Sequence, residues 1–449
     1  MKWQTLAPEM IFEILSKFLP GLTLHVFEPR YFPWYLGHIC SSWRMMFKSS
    51  PQFWSAFVID WDGAGRCSER ALLLTEMCIQ QSQTHPLTFR FRVDDFESSH
   101  CHKLLKALMA QSTRWLNAYF YLPRSEASFL YAVKTQLPIL RAFRLTTYPD
   151  FDDIDLQQFG DLFEDAPHVR RVRIVNYPAW KVNWSSITTL HLECTDKVQP
   201  ELLVNFLQTI DHLEELYLST PEGFESESSG SPPRIALPFL RCLGISTIGN
   251  LLFETPALEE LYIRTLSGIS LSTEHYDWPP KFVGLSNHLK HIVLLLTSID
   301  MAVIIFQHLP DTQDIDFYIT NLTVLKILPL CPSARHLETM TVVVLFYTAS
   351  DLREVLDIIG SWRMHSNAGT GFGRFEGLKR FTLKLHHDKD PMDCTQEYLD
   401  RFESEFTSLF SERGVQSSIN QVRILDEDAV AVPPFDMFGG QEADFLPNY

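Results

Sequence analysis

The sequence offers little to a polyanion and spells out no metal or phosphate site. Its 38 Lys and Arg face 55 Asp and Glu, a formal net charge of −17. That charge repels a phosphate backbone, so nucleic acid is not an expected partner. The eight cysteines (Cys40, Cys67, Cys78, Cys101, Cys194, Cys242, Cys331, Cys394) contain no CxxC pair. Their spacing therefore gives neither a zinc site nor a disulfide framework, and they read as thiols of a reducing compartment. No apolar run reaches the roughly 18 residues that a membrane helix needs. Glu9 and Glu13 interrupt the first apolar stretch, where a signal peptide requires continuity. The expectation is a soluble protein of the cytoplasm and/or nucleus, with no membrane partner. Asn183-Trp-Ser and Asn321-Leu-Thr are then chance matches to the glycosylation triplet.

Motifs of catalysis are equally scarce. Gly369-Thr-Gly371-Phe-Gly373 has neither the GxGxxG nor the P-loop spacing and reads as a flexible turn. HExxH, GxSxG and the kinase set are missing. His288 with His291 have no third ligand near them in the chain to complete a tetrahedral zinc set, and His386-His387 sits at the end of a strand segment, so these read as surface or cap histidines. We therefore expect no enzyme: no catalytic residue, no cofactor and no metal ligand.

What is present is apolar periodicity. The 449 residues are 45% hydrophobic and 21% charged, a folded composition too long for one ordinary domain. Ile11, Ile14, Leu15, Phe18 and Leu19 recur at helical spacing and predict an amphipathic helix over 8–19, opened by Pro8 and Glu9 and stopped by Pro20-Gly21. Leu36, Ile39, Cys40, Trp43 and Phe47 predict a second helix from Tyr35 to Lys48, and Ser50-Pro51 starts a short turn carrying Phe53 and Trp54. Three aromatic residues exceed what so small a bundle needs for its own core, which points to an interface.

From residue 139 a second template recurs: apolar, two variable, apolar, one variable, apolar. Its copies are Leu140/Phe143/Leu145, Val169/Val172/Ile174, Ile187/Leu190/Leu192, Leu213/Leu216/Leu218, Leu240/Leu243/Ile245, Leu258/Leu261/Ile263, Leu289/Ile292/Leu294 and Leu378/Phe381/Leu383, with weaker ones near Thr312 and Leu337. Helical segments Pro200–Ile210, Met301–Leu309, Asp351–Trp362 and Gln396–Phe410 lie between copies. Leu87–Val93 alternates as a strand, and Leu104, Leu105 and Leu108 lie on a helix. Strand and helix alternate, each unit burying its apolar side on its neighbours, which predicts an α/β solenoid, a curved parallel sheet with helices outside. Pro221–Arg234, Leu266–Asn287 and Met364–Phe375 read as loops, and the acidic segment after Asp426, without Lys or Arg, as a solvated tail.

Two parts of this pattern resemble known families. Leu6-Ala-Pro8-Glu9, the helix ending Leu19-Pro20, Ile39-Cys40-Ser-Ser-Trp43-Arg44 and the trailing Trp54 together resemble the F-box, over about the first 57 residues. The stretch between Pro20 and Ile39 departs from the family in length and carries Pro29 and Pro33. The copies from residue 139 resemble the leucine-rich repeats that some F-box proteins carry. The resemblance implies a three-helix F-box-like module over 1–57, a connecting segment with degenerate early repeats over 58–135, a leucine-rich repeat-like horseshoe over 136–426 and the acidic tail over 427–449. It also implies docking to the SKP adaptor, and through it a cullin, by Leu6, Pro8, Ile11, Ile14, Leu15, Leu19, Cys40, Trp43 and Trp54. The outward strand positions would then meet a protein substrate: Arg144, Arg173, Tyr217, Tyr262, Arg264 and Lys384, among neighbours such as Arg141, Arg171, Glu214, Glu215, Glu259, Glu260 and Lys379. The function so implied is a substrate-recognition subunit of an SCF-type ubiquitin ligase, monomeric outside that complex. The alternative is an interaction scaffold outside ubiquitin ligases, whose N-terminal helices merely cap the array.

Overall fold

A computed structural model describes residues 10, 13, 24–26, 36–61, 69–93, 99–148, 162–175, 184–193, 200–210, 212–219, 234–246, 252–264, 281–282, 288–295, 314–319, 322, 324–327, 337–345, 349–366, 378–387, 396–411 and 415–423. The chain divides into two compact units, Met1–Glu193 with Glu442–Tyr449, and Cys194–Gln441, so the expected boundaries at 57, 135 and 426 do not coincide with the division.

The first unit holds strands β1 (Leu24–His25), β2 (Ala56–Trp61), β3 (Leu87–Val93), β4 (Trp115–Pro123), β5 (Ala142–Tyr148), β6 (Arg171–Val175) and β7 (Thr189–Glu193), which pair in chain order, every pair parallel. Its helices are α1 (Leu36–Ile39), α2 (Ser41–Ser49), α3 (Glu69–Gln81), α4 (Ser99–Met109) and α5 (Arg124–Ala127). Alternation explains the strands: Phe89 and Phe91, Ala118 and Phe120, Phe143 and Leu145, and Val172 and Ile174 are all buried, while the residues between them face the other way. On α4, Cys101, Leu104, Leu105 and Leu108 form the buried stripe at helical spacing. A chain of phenylalanines runs through this core, with ring centroids 6.0 Å apart for Phe57 and Phe89, 5.4 Å for Phe89 and Phe120, 6.0 Å for Phe120 and Phe143, and 4.2 Å for Phe143 and Phe163. Full burial of each such ring is worth about 1.5–3 kcal/mol.

One device occurs twice. The indole of Trp54 donates to the Phe47 carbonyl at 2.9 Å, and that of Trp115 donates to the Leu108 carbonyl at 3.1 Å. In each case a tryptophan leading into a strand donates to a carbonyl in the last turn of the preceding helix, seven residues back.

The second unit holds β8 (Glu215–Ser219), β9 (Arg234–Ala236), β10 (Cys242–Ser246), β11 (Leu252–Glu254), β12 (Glu260–Arg264), β13 (Lys281–Phe282), β14 (His291–Leu295), β15 (Asp314–Ile319), β16 (Thr339–Leu345), β17 (Arg380–His387) and β18 (Gln416–Arg423). The order β8-β10-β12-β14-β15-β16-β17-β18 is parallel throughout, and β13-β11-β9 form a separate small sheet. The helices are α6 (Pro200–Leu207), α7 (Val324–Ile327), α8 (Ala349–Ser366) and α9 (Gln396–Ser411). Leu352, Val355, Leu356 and Ile359 make the buried stripe of α8. On α9, Phe402, Phe406 and Phe410 stand four apart, and the last two meet Phe381 at 5.6 and 4.8 Å.

Two sequence expectations are corrected here. The architecture is an α/β fold of parallel strands and helices in two units, not an α/β solenoid or horseshoe. Nor is the N-terminal three-helix module seen among the described residues. The described part of residues 1–57 contributes a strand, β1, whose Leu24 and His25 pair with Phe57 and Val58 of β2, and Leu24 and Val26 are fully buried. The alternation Leu22-Thr-Leu24-His-Val26 is a strand period, and the sheet edge at β2 gives it a partner. The single helix expected over Tyr35–Lys48 is two, because the backbone at Cys40 is extended and α2 restarts with the Arg44 N–H donating to the Cys40 carbonyl at 3.0 Å. The helix expected over 8–19 lies outside the described residues apart from Met10 and Glu13, both helical; the helix at 301–309 and the tail of 427–449 also lie outside them.

The template positions are nonetheless the core. Leu140, Val169, Ile187, Leu213, Leu240 and Leu258 are each at most 1% exposed, as are most of their strand partners. Leu140, Val169, Leu240 and Leu258 each close a tight turn just before their strand, and the residue after such a template position bonds back to the preceding copy: Arg141 N–H to the Leu116 carbonyl, Arg170 to Arg141, Arg241 to Glu214, Glu259 to Arg241 and Lys290 to Glu259, all at 2.7–2.8 Å. The parallel ladder therefore begins one residue earlier than the strands themselves.

Candidate functional site: two polar sheet faces

Register determines which outward side chains meet. In the first unit Arg90 of β3 pairs with Tyr119 of β4, Tyr119 with Arg144 of β5, Arg144 with Arg173 of β6, and Arg173 with His191 of β7. Adjacent strands lie about 4.8 Å apart, so these five residues form one continuous row. One step along, Arg92 pairs with Tyr121. The guanidinium of Arg144 lies over the Tyr119 ring at 4.3 Å and that of Arg92 over Tyr121 at 5.1 Å, cation–π contacts that hold the cations without neutralising them. Arg144 Nε also donates to Thr146 Oγ1 at 3.4 Å. Arg173, 3% exposed, reaches Glu193 Oε2 at 3.7 Å.

The electrostatics follow. Burial first, then the Arg173 charge, pulls the Arg144 guanidinium below its usual range, with Arg90 and Arg92 acting the same way and Glu193 opposing. Burial also lowers Arg173, offset by Glu193. His191 is wholly enclosed, and burial with the charges of Arg173 and Arg144 holds it far below 6.5, so it stays neutral.

The second unit carries a different face. Tyr217 of β8, Gly244 of β10 and Tyr262 of β12 share a row. With no side chain at Gly244, the two tyrosine rings approach to 6.1 Å. The Tyr217 hydroxyl shares a hydrogen bond with the Cys242 thiol at 2.8 Å, and the Tyr262 hydroxyl donates to Glu260 Oε2 at 2.6 Å. Burial pushes both Tyr217 and Cys242 upward, so neither supplies an anionic nucleophile near neutral pH. The neighbouring row, Glu215, Cys242, Glu260, His291, Asp316, is rich in carboxylates. On its rim Glu259 is clamped between Arg241 at 3.0 Å and Lys290 at 2.9 Å, and these two hydrogen bonds hold its carboxyl down at about 2.

Several sequence expectations meet this geometry. Arg144 and Arg173 come together, as do Tyr217 and Tyr262; Lys384 of β17 occupies the row of Tyr262 four strands further on. The side chain of Arg264 lies outside the description. Tyr217, Tyr262 and Arg173 were expected on an exposed surface, but they are 3%, 4% and 3% exposed. Long flat side chains lie down on their strand neighbours rather than stand into solvent. Sequence reasoning missed Arg90, Arg92, Tyr119, Tyr121, His191 and Glu193 as members of the site, although their alternation with buried Phe and Leu marks the same outward face.

Of the expected adaptor contacts, Leu6, Pro8, Ile11, Ile14, Leu15 and Leu19 lie outside the described residues. Trp43 and Trp54 are interior, at 7% and 2% exposure, and Cys40 is half-buried. The apolar groups left open near them are Ile39 and Met45, at 48% and 70%. Among the described residues no group of three His, Cys, Asp or Glu is placed to hold a metal ion, and no helix is long and apolar enough to cross a membrane.

Those features define an arrangement: two sets of outward polar side chains placed side by side by parallel strand pairing. Comparison adds no family to it, since no protein-family model matches the chain and no curated protein matches its sequence.

Proposed function

We propose that this chain is a non-catalytic recognition subunit that holds a client protein on the polar faces of its sheets and docks to an SKP-type adaptor of a cullin ubiquitin ligase through its N-terminal residues. The observation that carries the first half is the row Arg90, Tyr119, Arg144, Arg173, His191, whose members are positioned by backbone pairing. Arginine and tyrosine are the side chains most enriched where proteins bind proteins. The docking half rests on the F-box resemblance and on the exposed Ile39 and Met45 beside it. Such a subunit works by raising the local concentration of the client, without chemistry of its own.

The test is co-purification of the full chain with a co-expressed SKP adaptor. Wild type is expected to co-elute, and the double substitution Ile39→Asp, Met45→Asp is expected to abolish this while leaving the melting temperature unchanged, because both side chains are exposed. Failure of wild type to co-elute, or full retention by the double variant, overturns docking. A second reading is favoured by β1: residues that pair into the sheet edge cover it, as a capping segment does. A capping scaffold outside ubiquitin ligases would bind clients but not the adaptor.

A further inference from the structure

Helical spacing sorts the side chains of α2 into two sets. Ser41, Arg44, Met45 and Lys48 lie on the exposed side, and Trp43, Met46 and Phe47 on the buried side. Serine, arginine and lysine suit water, which leaves Met45 as the apolar member of the outward stripe, at 70% exposure. Its chain neighbour Met46 is 8% exposed, so a single peptide bond separates two thioethers with opposite access to solvent. Ile39, at the end of α1, is the other open apolar group of the α1 and α2 pair, which pack on each other. A face that docks through a thioether has a reactivity that leucine or isoleucine would not give it. Oxidation turns the flexible apolar side chain of methionine into a polar, chiral sulfoxide, and reductases reverse the change. A sulfoxide oxygen pressed into an apolar contact loses its water without gaining a donor.

We propose that Met45 is a redox-sensitive contact of the docking face, oxidised to the sulfoxide by a hydroperoxide with loss of the adaptor, a reading that rests on the proposed docking and names its regulation. The sulfur lone pair attacks the peroxide oxygen, an S–O bond forms and the O–O bond breaks. Water leaves when the oxidant is hydrogen peroxide, and the electron pair that oxidises the sulfur is the one that reduces the peroxide. Exposure directs the reaction to Met45, because a hydroperoxide reaches its sulfur without any opening of the fold, whereas Met46 is shielded within it. Cys40, the other sulfur of this pair of helices, is half-buried at the extended residue that opens α2. Thiol reductants return a sulfenic acid or a disulfide to the thiol but leave a methionine sulfoxide in place, so the chemistry of the two sulfurs is separable.

The experiment treats the full chain with hydrogen peroxide, quenches with catalase, incubates with dithiothreitol and then measures affinity for untreated SKP adaptor. Peptide mass spectrometry should find the added oxygen on Met45 about tenfold faster than on Met46. Affinity should fall about tenfold and return after treatment with methionine sulfoxide reductase. Each variant is read as its affinity after peroxide relative to its affinity before, so differences in baseline drop out. Met45→Leu should lose the peroxide effect, whereas Met46→Leu should keep it, as should a Leu substitution at Met10, the other exposed methionine among the described residues. Met45→Gln, polar and of similar length, should bind about tenfold more weakly than wild type without any peroxide. Unchanged affinity with Met45 oxidised overturns the proposal, as does a peroxide effect that persists in Met45→Leu or vanishes in Met10→Leu. So does an effect that dithiothreitol alone reverses, since cysteine would then be its source. If untreated wild type fails to bind the adaptor, docking falls and its regulation with it; a complex that forms but ignores peroxide sinks this inference alone.

Discussion

The two units use one backbone plan and differ in what they place on either side of it. In the first, a chain of phenylalanines with Trp115 runs among the leucines of the interior, and arginine lines the outward row. In the second, leucine and isoleucine supply most of the interior from β8 to β12, and the outward rows carry a tyrosine pair and carboxylates. A parallel ladder asks only that inward positions be apolar, so outward positions are left to be charged in either sense. The sign of each face is therefore a property of a few side chains and not of the fold.

The sharpest way to test the comparison is through the interiors. Phe120→Ala should cost ~4 kcal/mol in urea unfolding, because Phe120 is fully buried against Phe89, Trp115 and Phe143; Leu243→Ala, equally buried, should cost ~3 kcal/mol. An equal or reversed order would remove the distinction between aromatic and aliphatic cores.

A smaller effect separates the outward faces by pH. His191 is neutral when folded, whereas unfolded chains bind a proton there below 6.5. Stability contributed by this group is thus complete above 6.5 and falls as pH drops beneath it. Between about pH 7.5 and about pH 5 wild type should lose ~2 kcal/mol more than His191→Leu. Parallel pH curves for the two proteins would place His191 in contact with water.

The smallest effect lies on the rim of the second unit. Glu259, held down at about 2, contributes stability that is present above the ordinary carboxyl value of 4.5 and is lost as pH falls towards 2. Its partners are largely exposed, so Glu259→Gln should cost only ~0.5 kcal/mol at low salt and nothing measurable in molar salt. A salt-independent cost would show that the clamp is shielded from solvent.

Much of the strand content was legible because each copy of the apolar template must be interior to be worth repeating, and Leu240, Leu243 and Ile245 are indeed all fully buried. The polar row was not. Successive copies from Leu140 to Leu289 begin 18 to 31 residues apart, and an irregular spacing does not say which outward residue stands beside which. Only pairing of Tyr119 with both Arg90 and Arg144 assembles the site. The N-terminal strand escaped for a different reason: the alternation Leu22-Thr-Leu24-His-Val26 is short, and β1 takes its stability from pairing with β2. Exposure of Tyr217 and Tyr262 was misjudged because strand period gives direction, not how far a flat ring folds back onto a neighbour. The overall class was misjudged because recurrence of a template specifies local pairing and not the division of the chain at Glu193.

Strand order along each main sheet also bears on how the protein is made. From β1 to β7, and again from β14 to β18, every strand is laid against the one translated just before it. Each closure therefore spans only a few tens of residues and incurs a modest entropy loss. Among the described strands of those runs none must wait exposed for a distant complement, so the growing chain can settle onto itself in the order it leaves the ribosome.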